Sequence, residues 1–310
     1  MIRELRKSDG PRVFEMLKVG FPEEEALVGT NPAGFERVMR RMFRWDMQFV
    51  LRFLRLLGRP TFRFFVVEED GKVVATTILS FPEKAGYVSM VMVDPAYRRR
   101  GYARDLVEHA RVAAQATGRK YMVLGVLRQN APARALYEKI GYRPLQEGAI
   151  LAREGPPPAP GVPSASVRPF QPRDASPLVE VARRSIPAEV QEVLPVRATA
   201  IRGTHFADRV LESTTTAWVI DRGRGPEAHL SVTVGSITQA GHFSNPIIGD
   251  DAAAADVTAL VRTAIAWCAA RGTTRLAAHV PVANVRGRAA LIEGGFHEAL
   301  ADSTLYRPAA

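Results

Sequence analysis

Apolar and polar positions change their period along the chain, and each change predicts an element. The alternation at residues 2–6 predicts a short strand, and helical material is expected from about Gly10 to Leu57. Phe64–Glu68 and Lys72–Leu79 flank the turn signal Glu69-Asp70-Gly71, which predicts a hairpin. Tyr87–Val93 is expected as a strand, Tyr102–Ala116 as a helix, Tyr121–Val126 as a strand and Pro132–Ile140 as a second helix. Antiparallel strands followed by a β-α-β-α run predict a mixed α/β fold, one mostly antiparallel sheet with helices on both faces.

Residues 155–164, with five prolines and two glycines, suit neither helix nor sheet interior. A domain boundary is expected there. The halves on either side resemble each other. At a constant offset of 154, Leu106 falls on Leu260, Gly118 on Gly272, Asn130 on Asn284, Gly141 on Gly295 and Tyr142 on Phe296. At the front, Ile2-Arg3-Glu4-Leu5 falls on Val167-Arg168-Pro169-Phe170 at an offset of 165. The pattern reads as a tandem duplication: a domain at 1–154, a linker at 155–165 and a second copy at 166–310.

Composition narrows the chemistry. The 310 residues hold one cysteine, Cys268, which rules out an intramolecular disulfide and a cysteine cage for a metal; no metal is expected. Met1–Arg6 lacks the apolar core of a secretory signal, and no run approaches the roughly 18 apolar residues of a membrane span. A cytoplasmic protein is the expectation. The net charge of +10 is concentrated in residues 1–155, with 27 basic against 18 acidic side chains, compared with 15 against 14 in the remainder. A basic half calls for an anionic partner.

The segment Val91-Met92-Val93-Asp94-Pro95-Ala96-Tyr97-Arg98-Arg99-Arg100-Gly101-Tyr102-Ala103 is the most specific one, and an anionic partner is expected there. A buried strand stops at a proline, turns through arginines and enters a helix at Gly101. The first N–H groups of a helix lack internal partners and carry the positive end of its dipole, so they suit a phosphate. The pattern Arg98-x-x-Gly101-x-Ala103 resembles the pyrophosphate loop of the GNAT superfamily of N-acetyltransferases. Asn130-x-Pro132-Ala133-x-x-Leu136-Tyr137-x-x-x-Gly141-Tyr142, about thirty residues on, is similar to that family's second signature. The resemblance covers residues 2–153 well and 166–308 in outline.

The resemblance implies two tandem GNAT-like domains and acetyl-CoA as cosubstrate. The strand at Tyr87–Val93 would part from its neighbour, and backbone groups of Val91 and Val93 would hold the pantetheine arm. Arg98, Arg99, Arg100, Gly101, Tyr102 and Ala103 would wrap the pyrophosphate. Asn130 would bind the pantetheine region, and the Tyr137 phenol would protonate the departing thiolate. The implied activity is direct acetyl transfer to a primary amine of a small molecule or peptide. The alternative is a catalytically silent acyl-CoA-binding sensor.

The general base stays open. Family members often place a glutamate on the strand matching Tyr87–Val93, which here offers Tyr87 and Ser89; Glu23, Glu24, Glu25, Glu68 and Glu83 are the carboxylates nearby in sequence. Residues 35–59 interleave apolar side chains with arginines and are expected to pack on the sheet and wall the acceptor site, arginines outward, rather than to lie on a membrane. No nucleic-acid module is recognisable. In the second copy Arg98–Ala103 falls on residues 252–257, four alanines followed by Asp256 and Val257, and Tyr137 falls on Leu291. That copy is expected to bind no cofactor. His279 lies there on the strand matching Tyr121–Val126, where a structural role is the simplest reading.

Overall fold

The computed structural model describes residues 1–57, 62–157, 164–202, 208 and 211–310. Most of the expected linker, 158–163, and Arg59 lie outside them.

The first half begins with strand β1 (Ile2–Glu4) and helices α1 (Gly10–Gly20), α2 (Pro22–Val28), α3 (Pro32–Met42) and α4 (Trp45–Leu56). Strands β2 (Phe62–Glu69), β3 (Lys72–Ser80) and β4 (Ala85–Val93) follow, then α5 (Tyr102–Gln115), β5 (Tyr121–Leu127), α6 (Ala131–Lys139) and β6 (Arg143–Arg153). The hairpin turn forms at Asp70 and Gly71, both with positive φ, as its residues require. Every element expected from the sequence is present, and β6 is an addition.

The second half repeats this order: β7 (Val167–Pro169), α7 (Ala175–Ser185), α8 (Ala188–Val193), α9 (Ala198–Arg202), β8 (Ser213–Asp221), β9 (Pro226–Gly235), β10 (Ala240–Phe243), β11 (Ile247–Ile248), α10 (Ala254–Ala269), β12 (Arg275–Pro281), α11 (Val285–Glu293) and β13 (His297–Pro308). The repeat extends to single interactions. Arg3 clamps Asp9 at 2.6 Å, and Arg168, 165 residues later, clamps Asp174 at 2.8 Å. Gly118 and Gly272 share φ of +77° and +74°, and Gly141 and Gly295 +92° and +88°. Asn130 and Asn284 each cap a helix by accepting from a backbone N–H three residues on. Cys268 is fully buried in the second core, as expected.

All strands except β11 lie on one path, β1-β2-β3-β4-β5-β13-β6-β12-β10-β9-β8-β7. The centre of this sheet is an exchange. β13, from the second half, lies between β5 and β6 and is antiparallel to both; β6 in turn lies between β13 and β12. One face of the sheet packs α5, α6, α10 and α11 over two apolar cores, with Leu106, Leu124 and Leu305 in one and Leu151, Leu260 and Leu276 in the other. The opposite face carries α1, α3 and α7 over smaller clusters.

Candidate active site

Strand β4 is made to bend. Its register with β3 slips so that Met90 and Val91 together oppose Thr77, a β-bulge, and Met90 takes φ +53°, the left-handed region that side chains rarely adopt. Beyond that point β4 leaves β5. The two run parallel from Ala85–Tyr121 to Val88–Leu124, and pairing stops there. Val91 and Val93 therefore lie on a stretch paired to β3 alone, which leaves their β5-facing side open to a ligand strand or arm.

The loop after β4 is shaped by Asp94, whose carboxylate accepts from the Ala96 N–H at 2.9 Å and pairs with Arg12. Arg99 has φ +66°, and Gly101 has φ +90° at the N-cap of α5 with no side-chain cap. An uncapped start leaves the first N–H groups of α5 directed at whatever the loop encloses. Not every residue named from the sequence faces that hollow freely. Arg100 pairs with Glu69 at 3.1 Å and stacks over Tyr97, and the Tyr102 hydroxyl also donates to Glu69. Arg98 donates to the Val93 carbonyl at 3.3 Å, and among the described residues Arg99 has no partner. Ala103, half-buried on the first turn, keeps the helix start narrow.

Asn130 is exposed at the N-cap of α6, and its side-chain oxygen accepts from Ala133 at 3.2 Å. Tyr137 lies one face along that helix, 6% exposed, with its ring 6.0 Å from Tyr142. Burial pushes its phenol up to about 12, and among the described residues its hydroxyl has no hydrogen-bond partner. It belongs to the same core as Leu124 and Val126 of β5.

The matching site of the second half is closed by the chain itself. The counterpart of β4 is broken at Pro246 into β10 and β11. The Asn284 amide donates to Asn245 and to the Pro246 carbonyl at 2.7 Å each. Arg286 donates to the carbonyls of Gly249 and Ala252, filling the approach to α10, whose N-cap is Ala253. Leu291, in place of Tyr137, is fully buried.

Of the five carboxylates weighed as base, Glu68 is clamped by Arg3, Glu83 by Arg197 and Glu25 by Thr30, and Glu23 is exposed. Glu24 is half-buried, and burial raises its carboxyl above the usual range. The sequence did not point to a second group on this face. His279 Nε2 lies 2.9 Å from both carboxylate oxygens of Asp302, and Tyr87 lies beside them, its phenol raised by burial and by the Asp302 charge. No spacing in the sequence joins these three, because β4, β12 and β13 meet only through the exchange.

Residues 35–59 depart in part from expectation. Val38, Met39 and Met42 of α3 are buried with the arginines outward, as expected. On α4, however, Trp45, Phe49, Phe53 and Leu56 are exposed, as is Leu57 just beyond it: α3 already covers that side of the sheet, so α4 packs on α3 instead and leaves this stripe outside. Among the described residues no helix is long and apolar enough to cross a membrane.

The site is thus a duplicated mixed sheet, parted at a bulged strand over a glycine-started helix. Residues 25–142 match the family model described as Acetyltransferase (GNAT) family. In fold the chain is similar to a tandem GNAT protein from the clavulanic acid biosynthesis pathway, with TM-score 0.64 and 18% identity over 100% of this chain and 98% of that one. It is similar likewise to a GCN5-related N-acetyltransferase from Sphaerobacter thermophilus, with TM-score 0.67 and 16% identity over 100% and 95%. In sequence, 89 residues are 37% identical to mycothiol acetyltransferase of Beutenbergia cavernae, covering 28% of this chain and 29% of that protein. A further match, 78 residues at 33% identity, is to the ribosomal protein bS18-alanine N-acetyltransferase of Escherichia coli, covering 25% of this chain and 53% of that enzyme. These matches thus span less than two thirds of either relative. Residues 25–142 thus match the GNAT acetyltransferase family model, and the full chain has the fold of tandem GNAT structures.

Proposed function

We propose that the chain is an acetyl-CoA-dependent N-acetyltransferase with one working site per chain, built by the domain at 1–154; 155–165 is the linker and 166–310 a copy without a cofactor site. The observation that carries this reading is the contrast between the two helix starts. That of α5 is uncapped behind Gly101 and faces the parted strands, whereas the approach to α10 is filled by Arg286.

Acetyl-CoA supplies a thioester, from which the acetyl group passes to a primary amine of a small molecule or peptide. The residues fit that ligand. Arg98, Arg99 and the N–H groups after Gly101 are suited to the pyrophosphate, with Arg100, Tyr102 and Ala103 forming the wall of the loop. Backbone groups of Val91 and Val93 are suited to the pantetheine amides and to negative charge on the acetyl oxygen. Asn130 flanks the same arm. Tyr137, kept protonated by burial, is the proton donor to the leaving sulfur. The test is calorimetry with acetyl-CoA: one site per chain, lost in Gly101→Glu, which sets a carboxylate where phosphate belongs. Two equivalent sites, or binding indifferent to the substitution, would overturn the assignment. Tight binding without thiol release to any amine would make the protein an acyl-CoA sensor.

A further inference from the structure

We propose that His279 and Asp302, both contributed by the second half, are the proton-accepting pair of the first half's acetyl-transfer site; this rests on the N-acetyltransferase reading above.

Position is the first argument. Gly125 is the first residue of β5 beyond its last pairing with β4. A Cβ at Gly125 would lie 3.3 Å from the Tyr87 hydroxyl and 3.9 Å from Asp302 Oδ2, so both groups stand where the strands part. On β6, a Cβ at Gly148 would come within 2.9 Å of His279 Nε2, and nearer still to Asp302, so glycine alone leaves room for the pair. β13 brings Asp302 opposite Leu127 and Gly148, and β12 brings His279 opposite Ile150.

The face is the second argument. Tyr137 packs with Leu124, Val126 and Leu305 on one side of the sheet. Tyr87, Val123 and Tyr306 form a cluster on the other, and strand alternation puts Asp302 on that side with Tyr306. Proton donor and proton acceptor thus flank the opening from opposite faces. An amine approaching from the His279 side leaves the sulfur on the Tyr137 side.

The chemistry is the third. Asp302 is 6% exposed, and its carboxylate only accepts, so it holds His279 as the tautomer with the proton on Nε2. Nδ1 then carries a lone pair on a ring whose side chain is 49% exposed. An acceptor arrives as an ammonium ion. Nδ1 takes one of its protons, and the resulting imidazolium is stabilised by Asp302. The neutral amine forms its N–C bond to the acetyl carbon as the C–S bond breaks and Tyr137 protonates the sulfur. The proton shed by the new amide nitrogen and the imidazolium proton pass to solvent, and solvent returns one proton to Tyr137.

Charged groups also lie on the elements around His279: α8, packed on β6, carries Glu189 and Glu192, the latter accepting from the Tyr121 hydroxyl at 2.6 Å. On β6, Glu147 is engaged by Arg128 and Ser303, and beyond its end Glu154 pairs with Arg275 of β12. On β10, His242 meets Thr238, and burial lowers its pKa. Helix α2, which packs on β12, carries Glu23, Glu24 and Glu25. Glu24 is therefore the rival base.

The experiment uses the full chain, acetyl-CoA and thiol release, with a panel of basic alkyl amines and, alongside, hydroxylamine, which is already neutral at pH 7. His279→Gln should lower kcat/KM for an alkyl amine at least 100-fold, abolish the acid limb of its pH profile, and slow hydroxylamine far less. Acetyl-CoA affinity should be unchanged. His279→Ala should regain activity with added imidazole, which a merely structural histidine would not. A wild-type pH profile in His279→Gln, or an acid limb moved by Glu24→Gln instead, would overturn the pair while leaving the acetyltransferase intact. Wild-type protein that binds acetyl-CoA but releases no thiol with any amine would overturn the underlying reading, and the pair with it.

Discussion

In the proposed mechanism Tyr137 is the acid, and burial rather than any neighbour keeps its phenol protonated. With its phenol pushed up to about 12, it stays protonated through neutral pH, so a proton is at hand for the sulfur as the C–S bond breaks. Tyr137→Phe keeps the ring that packs on Tyr142. It should lower kcat by about 100- to 10,000-fold while leaving acetyl-CoA affinity nearly unchanged, measured by single-turnover kinetics and calorimetry. Unchanged turnover would shift the proton to another group. A different residue-scale device, Arg168, holds the second half together at its entry. It hydrogen-bonds Asp174 and Asp221 and depresses both carboxyls. Their folded values lie below their unfolded ones, so this stabilisation is present above the unfolded carboxylate range and is lost as pH falls through the folded values. Asp174→Asn should cost about 3 kcal/mol at pH 7 and flatten the acid side of the stability curve, in urea titrations at pH 7 and pH 3. An equal loss at both would exclude the charge as the cause.

At the scale of elements, β4 and α4 depart from regularity for different reasons. In β4 the extra residue at Met90 bends the strand and frees its outer half from β5, an arrangement with a strain cost that the proposed acetyl-CoA site would explain. In α4 the apolar stripe is left outside because nothing among the described residues covers it. Phe49 and Phe53 stack on each other with centroids 6.5 Å apart and are 67% and 52% exposed. The double substitution Phe49→Gln, Phe53→Gln should therefore move stability by no more than about 1 kcal/mol, checked by thermal melting. A loss of several kcal/mol would mean that this face is buried in solution.

The whole molecule is decided by the exchange of β6 and β13. β5 and β6 run in the same direction, because each is antiparallel to β13, and they stand one strand apart. That gap is about 10 Å wide, twice the inter-strand spacing, and only β13 fills it. β6 cannot take its place, since it runs the wrong way. Residues 1–157 alone should accordingly show no cooperative melt, whereas the two halves mixed after cleavage within 158–163 should retain a single transition. A cooperative transition in the isolated first half would show that the gap closes without β13. The same exchange carries Arg307 of β13 against Glu108 of α5 at 2.6 Å and His279 to the opening beside β4.

Much of this protein was legible in the sequence because it rests on local rules. The hairpin at Asp70-Gly71, the helix start at Gly101 and the caps at Asn130 and Asn284 each depend on residues close together in the chain, whose spacing survives in the linear order. The loop from Asp94 to Gly101 belongs to this group: its shape needs only a strand end, a glycine turn and the first helical turn. Tertiary structure alone decided the rest. β6 was not expected, and the partner of β5 is a strand about 180 residues away. The engagement of Arg100 and Tyr102 by Glu69, the exposed stripe of α4, and the meeting of His279, Asp302 and Tyr87 all follow from which strands lie side by side. Strand partners are chosen by direction and by the burial of whole faces, summed over the molecule. No short segment encodes that choice.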